Sequence, residues 1–223
     1  MPHDHPHGDG HAHGHDHGGP LSPSGHPYRP DDDVPLTHWQ TMEIALRELI
    51  VEKGIATEAE IQAQIEHMDA RTPALGARIV ARAWTDPAFR ARLLADGSAA
   101  CREEGIEVGI LKLVVVENTE AVHNLVVCTL CSCYPRNLLG LPPDWYKARA
   151  YRARAVSEPR AVLAEFGVTL PEGTTLRVHD STADMRYLVL PRRPEGTEGW
   201  SADRLAALVG RDCMIGTGLA ATP

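Results

Sequence analysis

The sequence of 223 residues predicts an α+β fold, in which an N-terminal helical arm is followed by a layered α/β sandwich. From Leu36 to about Gly105, apolar residues recur at spacings of three and four, which is typical of helices. After Gly105 the chain changes to β-branched runs with helical segments between them, without strict alternation of strand and helix. We therefore predict a tail over residues 1–33, a helical arm over residues 34–105, and an α/β domain over residues 106–223 that holds a cysteine-rich loop.

The composition excludes several classes of protein. The formal net charge is −8, whereas a protein that binds nucleic acid needs a basic face. Aromatic residues make up only 5% of the chain, too few for the stacking platforms of single-strand binders. No apolar run approaches the roughly 18 residues that a membrane span requires, and the chain does not begin like a signal peptide. We therefore expect a cytoplasmic protein that binds neither nucleic acid nor a membrane.

The tail is rich in histidine. Such a segment has too few apolar side chains to offset the entropy of ordering it, so we predict that it is disordered. Alternating His and Asp would form a loose site for Co²⁺, Ni²⁺ or Zn²⁺, although a purification tag or a solubilising tail is the alternative. Eight of the twelve histidines lie in this tail: His3, His5, His7, His11, His13, His15, His17 and His26.

The helical arm is predicted to contain several helices. The first ends at Gly54, and a later break falls at Asp86-Pro87, because proline cannot continue a helix. Trp39 and Trp84 are expected to lie in the core.

Four β-branched runs predict strands in the α/β domain. Leu111–Glu117 and Val122–Cys128 are joined by a short turn and form the first predicted pair. Thr174–Asp180 and Met185–Leu190 form the second.

Helices are predicted between and after these strands. Residues 143–156 predict one basic amphipathic helix. Ser157 is expected to cap a short helix over Glu158–Phe166 that stops at Gly167. Residues 201–209 predict the last helix.

Three of the five cysteines fall within six residues, as Cys128-x-x-Cys131-x-Cys133, which is typical of metal binding and not of a disulfide framework. The three thiols can face one metal only if the backbone folds tightly around it, which also brings the peptide nitrogens of Ser132 and Cys133 to the metal. Three sulfurs and two deprotonated amides would suit trivalent cobalt or iron. They would leave one position open, which supports Lewis-acid catalysis or an activated water.

Other interpretations of the same residues are a structural zinc knuckle with His123 as fourth ligand, a dithiol redox pair, and three core cysteines close together by coincidence. The compact spacing, the absence of a thioredoxin-like pattern and the polar residues of the loop count against them in turn. A catalytic triad of Ser132, His123 and Asp180 has no supporting spacing.

These residues resemble the α subunit of nitrile hydratase and, in part, the γ subunit of thiocyanate hydrolase. The resemblance covers roughly Pro35 to Gly216 and is strongest in the cysteine motif. It is carried by the runs VVENT (115–119), VVCTLCSCYP (126–135), LGLPPDWYK (139–147), SEPR (157–160) and RPEGTEGW (193–200).

The resemblance implies a metal centre in which Cys128, Cys131 and Cys133 supply sulfur ligands, and the amides of Ser132 and Cys133 supply nitrogen ligands. It further implies that Cys131 is oxidised to sulfinic acid and Cys133 to sulfenic acid. Thr129 and Tyr134 match the cobalt type, so one non-corrin Co(III) per subunit is expected, with Fe(III) as the alternative. Water or the sulfenate oxygen of Cys133 would convert a bound nitrile to the amide, with the Ser132 hydroxyl as a nearby hydrogen-bonding group.

The resemblance also implies partners. They are a separately encoded β subunit in an α2β2-type hetero-oligomer, whose arginines would bind the oxidised sulfurs, and a metallochaperone or activator. The apolar side chains Trp39, Leu46 and Leu49 are the expected docking surface. The non-enzymatic alternative is a cobalt or nickel carrier.

One departure from the nitrile hydratase pattern concerns the substrate. Arg136-Asn137 stands where most nitrile hydratases have Trp-Pro, and an arginine there resembles thiocyanate hydrolase, whose substrate is an anion. The His-rich start and Cys213 also resemble that enzyme. The alternative role for Arg136 is to pair with a carboxylate of the partner. More of the flanking sequence resembles nitrile hydratase, so we expect nitrile hydration.

Several other polar residues have two interpretations. One interpretation of Asp180, Arg160 and Arg186 is that they orient the cysteine-rich loop over residues 128–133, called the metal loop below. The other is that they form ordinary salt bridges. Cys213 is expected to be a buried small apolar residue. The strip of Lys147, Arg149, Arg152 and Arg154 is interpreted as a helix face that contacts solvent or a partner subunit.

Overall fold

Eleven helices and four strands make up residues 36–223, the part of the chain that the computed structural model describes. The predictions for the tail at residues 1–33 lie outside the described residues. The helices are α1 (His38–Glu52), α2 (Glu58–Asp69), α3 (Ala74–Thr85), α4 (Pro87–Ala95), α5 (Gly97–Glu103), α6 (Arg136–Leu139), α7 (Asp144–Lys147), α8 (Arg149–Ser157), α9 (Pro159–Glu165), α10 (Ala202–Ala206) and α11 (Arg211–Ile215). The strands are β1 (Lys112–Glu117), β2 (Val122–Val127), β3 (Thr175–Asp180) and β4 (Met185–Leu190). This mixture of helices and strands confirms the α+β prediction.

The chain divides into two compact units, one that ends at Thr57 and one over Glu58–Pro223. The first unit contains α1, which begins at a capping box in which Thr37 and Gln40 bond each other's backbone. Gly54 follows the helix with a φ of 63°, as expected for a residue that ends a helix. No residue of α1 is buried, and Trp39 is 78% exposed. The expectation that Trp39 lies in the core is therefore wrong.

In the second unit, helices and strands pack directly on one another. The predicted break at Asp86 is confirmed, because its carboxylate caps α4 by accepting a hydrogen bond from the Phe89 N–H at 2.9 Å. Helices α4 and α5 pack against β1, so elements on both sides of residue 105 belong to one core. Trp84 is half-buried against this core, and its indole N–H donates to the Pro191 carbonyl at 2.8 Å.

The strand pairing differs from the prediction. Strand β1 pairs with β4 and β2 pairs with β3, both in parallel, so neighbouring strands along the chain do not form hairpins. A tight turn does join β1 to β2, closed by the Thr119 N–H and the Val122 carbonyl at 2.8 Å, but these strands belong to different sheets. Five of the six residues of β2 are buried, which is typical of a parallel strand covered on both faces.

The segment between β2 and β3 also differs in detail. The single helix predicted over residues 143–156 is divided into α7 and α8, because Ala148 is extended with a ψ of 136°. Ser157 does not cap the next helix but ends α8. Glu158 takes the cap position instead, because Pro159 disfavours a helical backbone before it and suits the first turn of α9. The stop at Gly167 is confirmed by its φ of 78°. In residues 36–223, no helix is long and apolar enough to cross a membrane.

Candidate metal centre

Three thiols meet in the loop that follows β2. Their sulfur atoms all lie within 4.8 Å of one another. The Cys131 sulfur is 3.4 Å from that of Cys128 and 3.2 Å from that of Cys133. Cys128 is buried, Cys133 is half-buried and Cys131 is exposed, so the cluster extends from the end of the strand to the surface. The structure thus brings together the three thiols that the sequence predicts as ligands.

The loop backbone also faces these thiols. The Cys131 N–H donates to the Cys128 sulfur at 3.3 Å. Thiol hydrogen bonds from Cys133 and Cys128 lower the pKa of Cys131 to about 7, with further help from the N–H groups of Ser132 and Cys133. Burial raises the pKa of Cys133 to about 12, while the nearby Arg186 guanidinium acts in the opposite direction. The N–H groups of Ser132 and Cys133 therefore lie near the Cys131 thiol.

Side chains from three different elements hold the loop in this shape. Asp180, at the end of β3, accepts from the Thr129 N–H at 2.9 Å and from the Thr129 hydroxyl at 2.5 Å. The Arg152 guanidinium donates to the Cys131 carbonyl at 3.0 Å, and the Tyr146 hydroxyl donates to the Cys133 carbonyl at 2.9 Å. Because the carboxylate and the guanidinium carry charge, their bonds are stronger than the neutral bond from Tyr146.

A cavity of about 350 Å³ opens over the thiols. Cys131, Ser132 and Cys133 form part of its wall, together with the apolar residues Val108, Leu111 and Leu113. Three arginines, Arg71, Arg136 and Arg186, also line it, whereas no Asp or Glu among residues 36–223 does. Arg71 is held by Asn137 at 2.8 Å, next to Arg136 at the start of α6. The cavity can therefore admit a small molecule to the sulfurs in a positive electrostatic environment.

His123 is not part of the cluster. It is buried in β2, where its Nε2 lies 2.8 Å from the Gly216 carbonyl and its Nδ1 lies 3.3 Å from the Asn118 amide. Since both ring nitrogens already have protein partners, His123 is not available as a fourth ligand of a zinc knuckle. Asp180 is bonded to Thr129 and completes no triad with His123.

The remaining polar predictions have different outcomes. Asp180 orients the metal loop, as one of the two interpretations proposed. Arg160 does not orient the loop, because its guanidinium donates to the carbonyl of Thr174. Arg186 lines the cavity and donates to carbonyls of its own turn, including that of Met185 at 3.1 Å. Cys213 is 1% exposed, as expected of a core residue.

Sequence reasoning missed two residues that hold the loop. The sequence pattern places Arg152 on a strip that contacts solvent or a partner subunit, but its guanidinium turns towards the loop, and nothing in the pattern marks Tyr146 as a residue that holds the loop. The only available signal was their position in helices that directly follow the motif. The direction of each side chain depends on the break at Ala148, which the sequence pattern did not predict.

The donor set fits a transition metal. Three thiol sulfurs, together with the nearby backbone nitrogens of Ser132 and Cys133, form a soft, anionic ligand set once deprotonated. Oxygen-preferring ions such as Mg²⁺ and Ca²⁺ do not suit it. The fold and this loop define a protein that can hold a thiolate-bound transition metal at the base of a small cavity.

Comparison with known proteins gives the family. Residues 37–218 match the family model "Nitrile hydratase, alpha chain", and the chain belongs to this family. The low-molecular weight cobalt-containing nitrile hydratase subunit alpha of Rhodococcus rhodochrous is 53% identical over 188 residues, which cover 80% of this chain and 87% of that protein. The thiocyanate hydrolase subunit gamma of Thiobacillus thioparus is 40% identical over 193 residues, 81% of this chain and 79% of that protein.

A solved structure agrees with the family assignment. A double mutant of the Fe-type nitrile hydratase from Comamonas testosteroni Ni1 superposes with a TM-score of 0.80 at 42% identity, covering 85% of this chain and 94% of that chain. The expected resemblance to nitrile hydratase α is thereby confirmed, and thiocyanate hydrolase γ is a related subunit.

Proposed function

We propose that this chain is the catalytic, cobalt-binding subunit of a cytoplasmic nitrile hydratase, which adds water to a nitrile to give the amide. The observation that carries the proposal is the cluster of three sulfurs within 4.8 Å at the wall of a cavity. Cobalt is favoured over iron because a relative with 53% identity is cobalt-containing, whereas the Fe-type structure is 42% identical.

The proposed ligands are the sulfurs of Cys128, Cys131 and Cys133 and the backbone nitrogens of Ser132 and Cys133. When bound there, Co(III) would supply Lewis acidity that makes the nitrile carbon electrophilic. We further propose that Cys131 is a sulfinic acid and Cys133 a sulfenic acid in the mature protein. Both are states that an accessible thiolate reaches by oxidation, and Cys131 is exposed with a pKa lowered to about 7.

The reaction itself needs a nucleophile and a place for the developing charge. Either water adds to the nitrile carbon and its proton passes to the nitrile nitrogen, or the sulfenate oxygen of Cys133 adds and a water molecule then restores the sulfenate and supplies the two protons of the amide. The Ser132 hydroxyl lines the cavity and can hydrogen-bond to the substrate, and Arg186 places positive charge near Cys133. These residues would orient the substrate and stabilise negative charge as the C–O bond forms.

Metal analysis and peptide mass test this assignment. The complex, expressed with cobalt and lacking residues 1–33, should retain one tightly held cobalt per chain and hydrate acetonitrile. Its tryptic peptide over residues 113–136 should carry two added oxygens on Cys131 and one on Cys133. Unmodified thiols in an active preparation would contradict the proposed mechanism. Labile Co²⁺ or Ni²⁺ that is lost with the tail would indicate a metal carrier instead.

Thiocyanate hydrolysis is the second candidate, because Arg136 lines the cavity and forms no ion pair within residues 36–223. A charge-assisted contact to an anionic substrate contributes about 1.5–3 kcal/mol, or roughly a tenfold to hundredfold preference. Arg136→Trp should abolish any thiocyanate turnover and spare acetonitrile hydration. Release of carbonyl sulfide from thiocyanate with no turnover of simple nitriles would reverse the ranking.

We also propose that the chain works with a separately encoded β subunit, in an α2β2-type assembly loaded by a metallochaperone or activator. The exposed apolar side chains of α1, Trp39, Leu46 and Leu49, support a docking surface there. A stable, fully active monomer of this chain alone would contradict the dependence on a partner.

A further inference from the structure

Arg152 differs from the other basic residues around it. Arg154 pairs with Glu158 and Glu165, and Lys147 pairs with Asp144. Arg149 is exposed at the start of α8. Arg152 is half-buried, and its guanidinium donates to two carbonyls of the metal loop, those of Cys131 at 3.0 Å and Thr129 at 3.4 Å.

The bond to the Cys131 carbonyl acts on a particular peptide group. That carbonyl and the Ser132 nitrogen belong to the same planar amide, and in a trans peptide the C=O and N–H point in opposite directions. A donor that holds the oxygen on the α8 side therefore keeps the Ser132 nitrogen directed at the thiols. The Ser132 N–H lies near the Cys131 thiol, which agrees with this direction.

The charge of Arg152 also lacks a counterion. Within residues 36–223 it forms no ion pair, and its Nε is buried without a hydrogen-bond partner. A partly buried, unpaired cation is unfavourable unless negative charge lies close to it. With three thiolates and two deprotonated amides around a trivalent ion, the loop would carry negative charge, and a deprotonated Ser132 nitrogen would share its charge with the Cys131 carbonyl that Arg152 contacts.

We propose that Arg152 is the positioning residue that directs the Ser132 peptide nitrogen to the metal and offsets the negative charge of the ligand set. This inference rests on the proposed function, because it assumes the nitrogen ligation described above. If Arg152 has this role, the guanidinium affects the rate at which the metal is taken up and the set of atoms that bind it, in addition to the stability of the fold.

Three variants of the assembled complex test the proposal. Arg152→Gln keeps a hydrogen-bond donor but removes the charge, Arg152→Lys keeps the charge, and Arg149→Gln removes an exposed charge from the same helix. The measurements are the rate of Co²⁺ uptake by metal-free complex at a fixed concentration and the sulfur-to-cobalt charge-transfer absorption of the loaded complex. Thermal unfolding of each metal-free complex reports on the fold separately.

We expect Arg152→Gln to slow cobalt uptake about tenfold or more, as for loss of a charge-assisted hydrogen bond, and to shift the absorption bands. Arg152→Lys should recover much of the uptake, and Arg149→Gln should match the unaltered complex. Uptake within twofold of the unaltered complex together with unchanged bands in Arg152→Gln would overturn the proposal. If Arg152→Gln does not assemble, normal cobalt uptake and unchanged absorption bands in an assembled Arg152→Lys complex support the proposal. If both variants fail to assemble, or both unfold at a much lower temperature than the unaltered complex, Arg152 is needed for the fold itself and the proposal is overturned. If the unaltered complex, expressed with cobalt and its activator, holds no cobalt, the proposed function itself fails.

Discussion

The two ends of strand β2 both place polar groups in the interior, but they satisfy them in different ways. In the strand, Asn124 bonds to Asn118, to the Glu117 carbonyl and to His179, and both nitrogens of the neighbouring His123 have partners. Beyond the end of the strand, the three thiols of the metal loop contact chiefly one another and the backbone of their own loop. Buried polarity that the fold satisfies completely is structural, whereas donors gathered together without other partners indicate a site.

The largest expected effect separates clustered cysteines from isolated ones. Alanine at Cys128, Cys131 or Cys133 should reduce bound cobalt and nitrile hydration to background, because each change removes a ligand. Cys213→Ala removes an equally reduced thiol from the core and is the matched control. It should lower stability by about 1–2 kcal/mol and leave the cobalt content unchanged. Loss of metal in Cys213→Ala, measured by elemental analysis, would contradict the distinction between clustered and isolated cysteines.

The second prediction concerns how the loop is attached to β3. Asp180→Ala removes both bonds to Thr129, so metal retention should weaken by roughly tenfold to a hundredfold, measured as cobalt lost to a chelator. Asp184→Asn is the control, since that exposed carboxylate lies in the turn before β4. Equal retention in the two variants would mean that the loop keeps its shape without Asp180.

The cysteine cluster could be predicted from sequence because its three thiols are close together along the chain. Spacings of three and two residues bring the thiols together in any tight loop, whatever the rest of the fold does. The strand bounds were also close, and Met185–Leu190 was predicted to the residue. These segments are short β-branched runs whose ends are marked by turn residues, so the pattern alone is informative.

The pairing of strands and the residues that hold the loop could not be predicted in this way. The short turn after β1 favoured a hairpin, although it lacks the Asn-Gly or Asp-Gly signal of one. Asp180 reaches the loop only because β2 and β3 run parallel, with Val127 opposite Asp180. That register depends on a crossover of about fifty residues, which no local pattern specifies.

The third prediction tests the buried, hydrogen-bonded His123 of β2 through the pH dependence of stability. Burial lowers the pKa of His123 below its ordinary value of 6.5, although its bond to Gly216 opposes the shift. As pH falls below about 6.5, the unfolded chain takes up the proton before the folded one does, so the free energy of unfolding decreases. His123→Gln should be less stable by about 1–3 kcal/mol at pH 7.5 and show a weaker decrease by pH 5.5.

Urea denaturation of the metal-free protein at the two pH values measures this difference. Part of the decrease should remain in His123→Gln, because burial also lowers the pKa of His179. Identical pH dependence with and without His123 would mean that the imidazole can be protonated in place, and the polar cluster would then not be closed as described.

The smallest effect compares two buried tyrosines that contact the two regions separately. The Tyr151 hydroxyl donates to the Val126 carbonyl in β2 at 2.7 Å, and the Tyr146 hydroxyl donates to the Cys133 carbonyl in the loop at 2.9 Å. Tyr→Phe at either position removes one neutral hydrogen bond and should lower stability by about 0.5–1.5 kcal/mol. Only Tyr146→Phe should also speed the loss of cobalt and alter the charge-transfer absorption, since only it frees a carbonyl next to a ligand. Equal spectra for the two variants would show that the loop holds its geometry without Tyr146, and a spectral change in Tyr151→Phe would show that strand and loop are coupled more tightly than their separate hydrogen bonds imply.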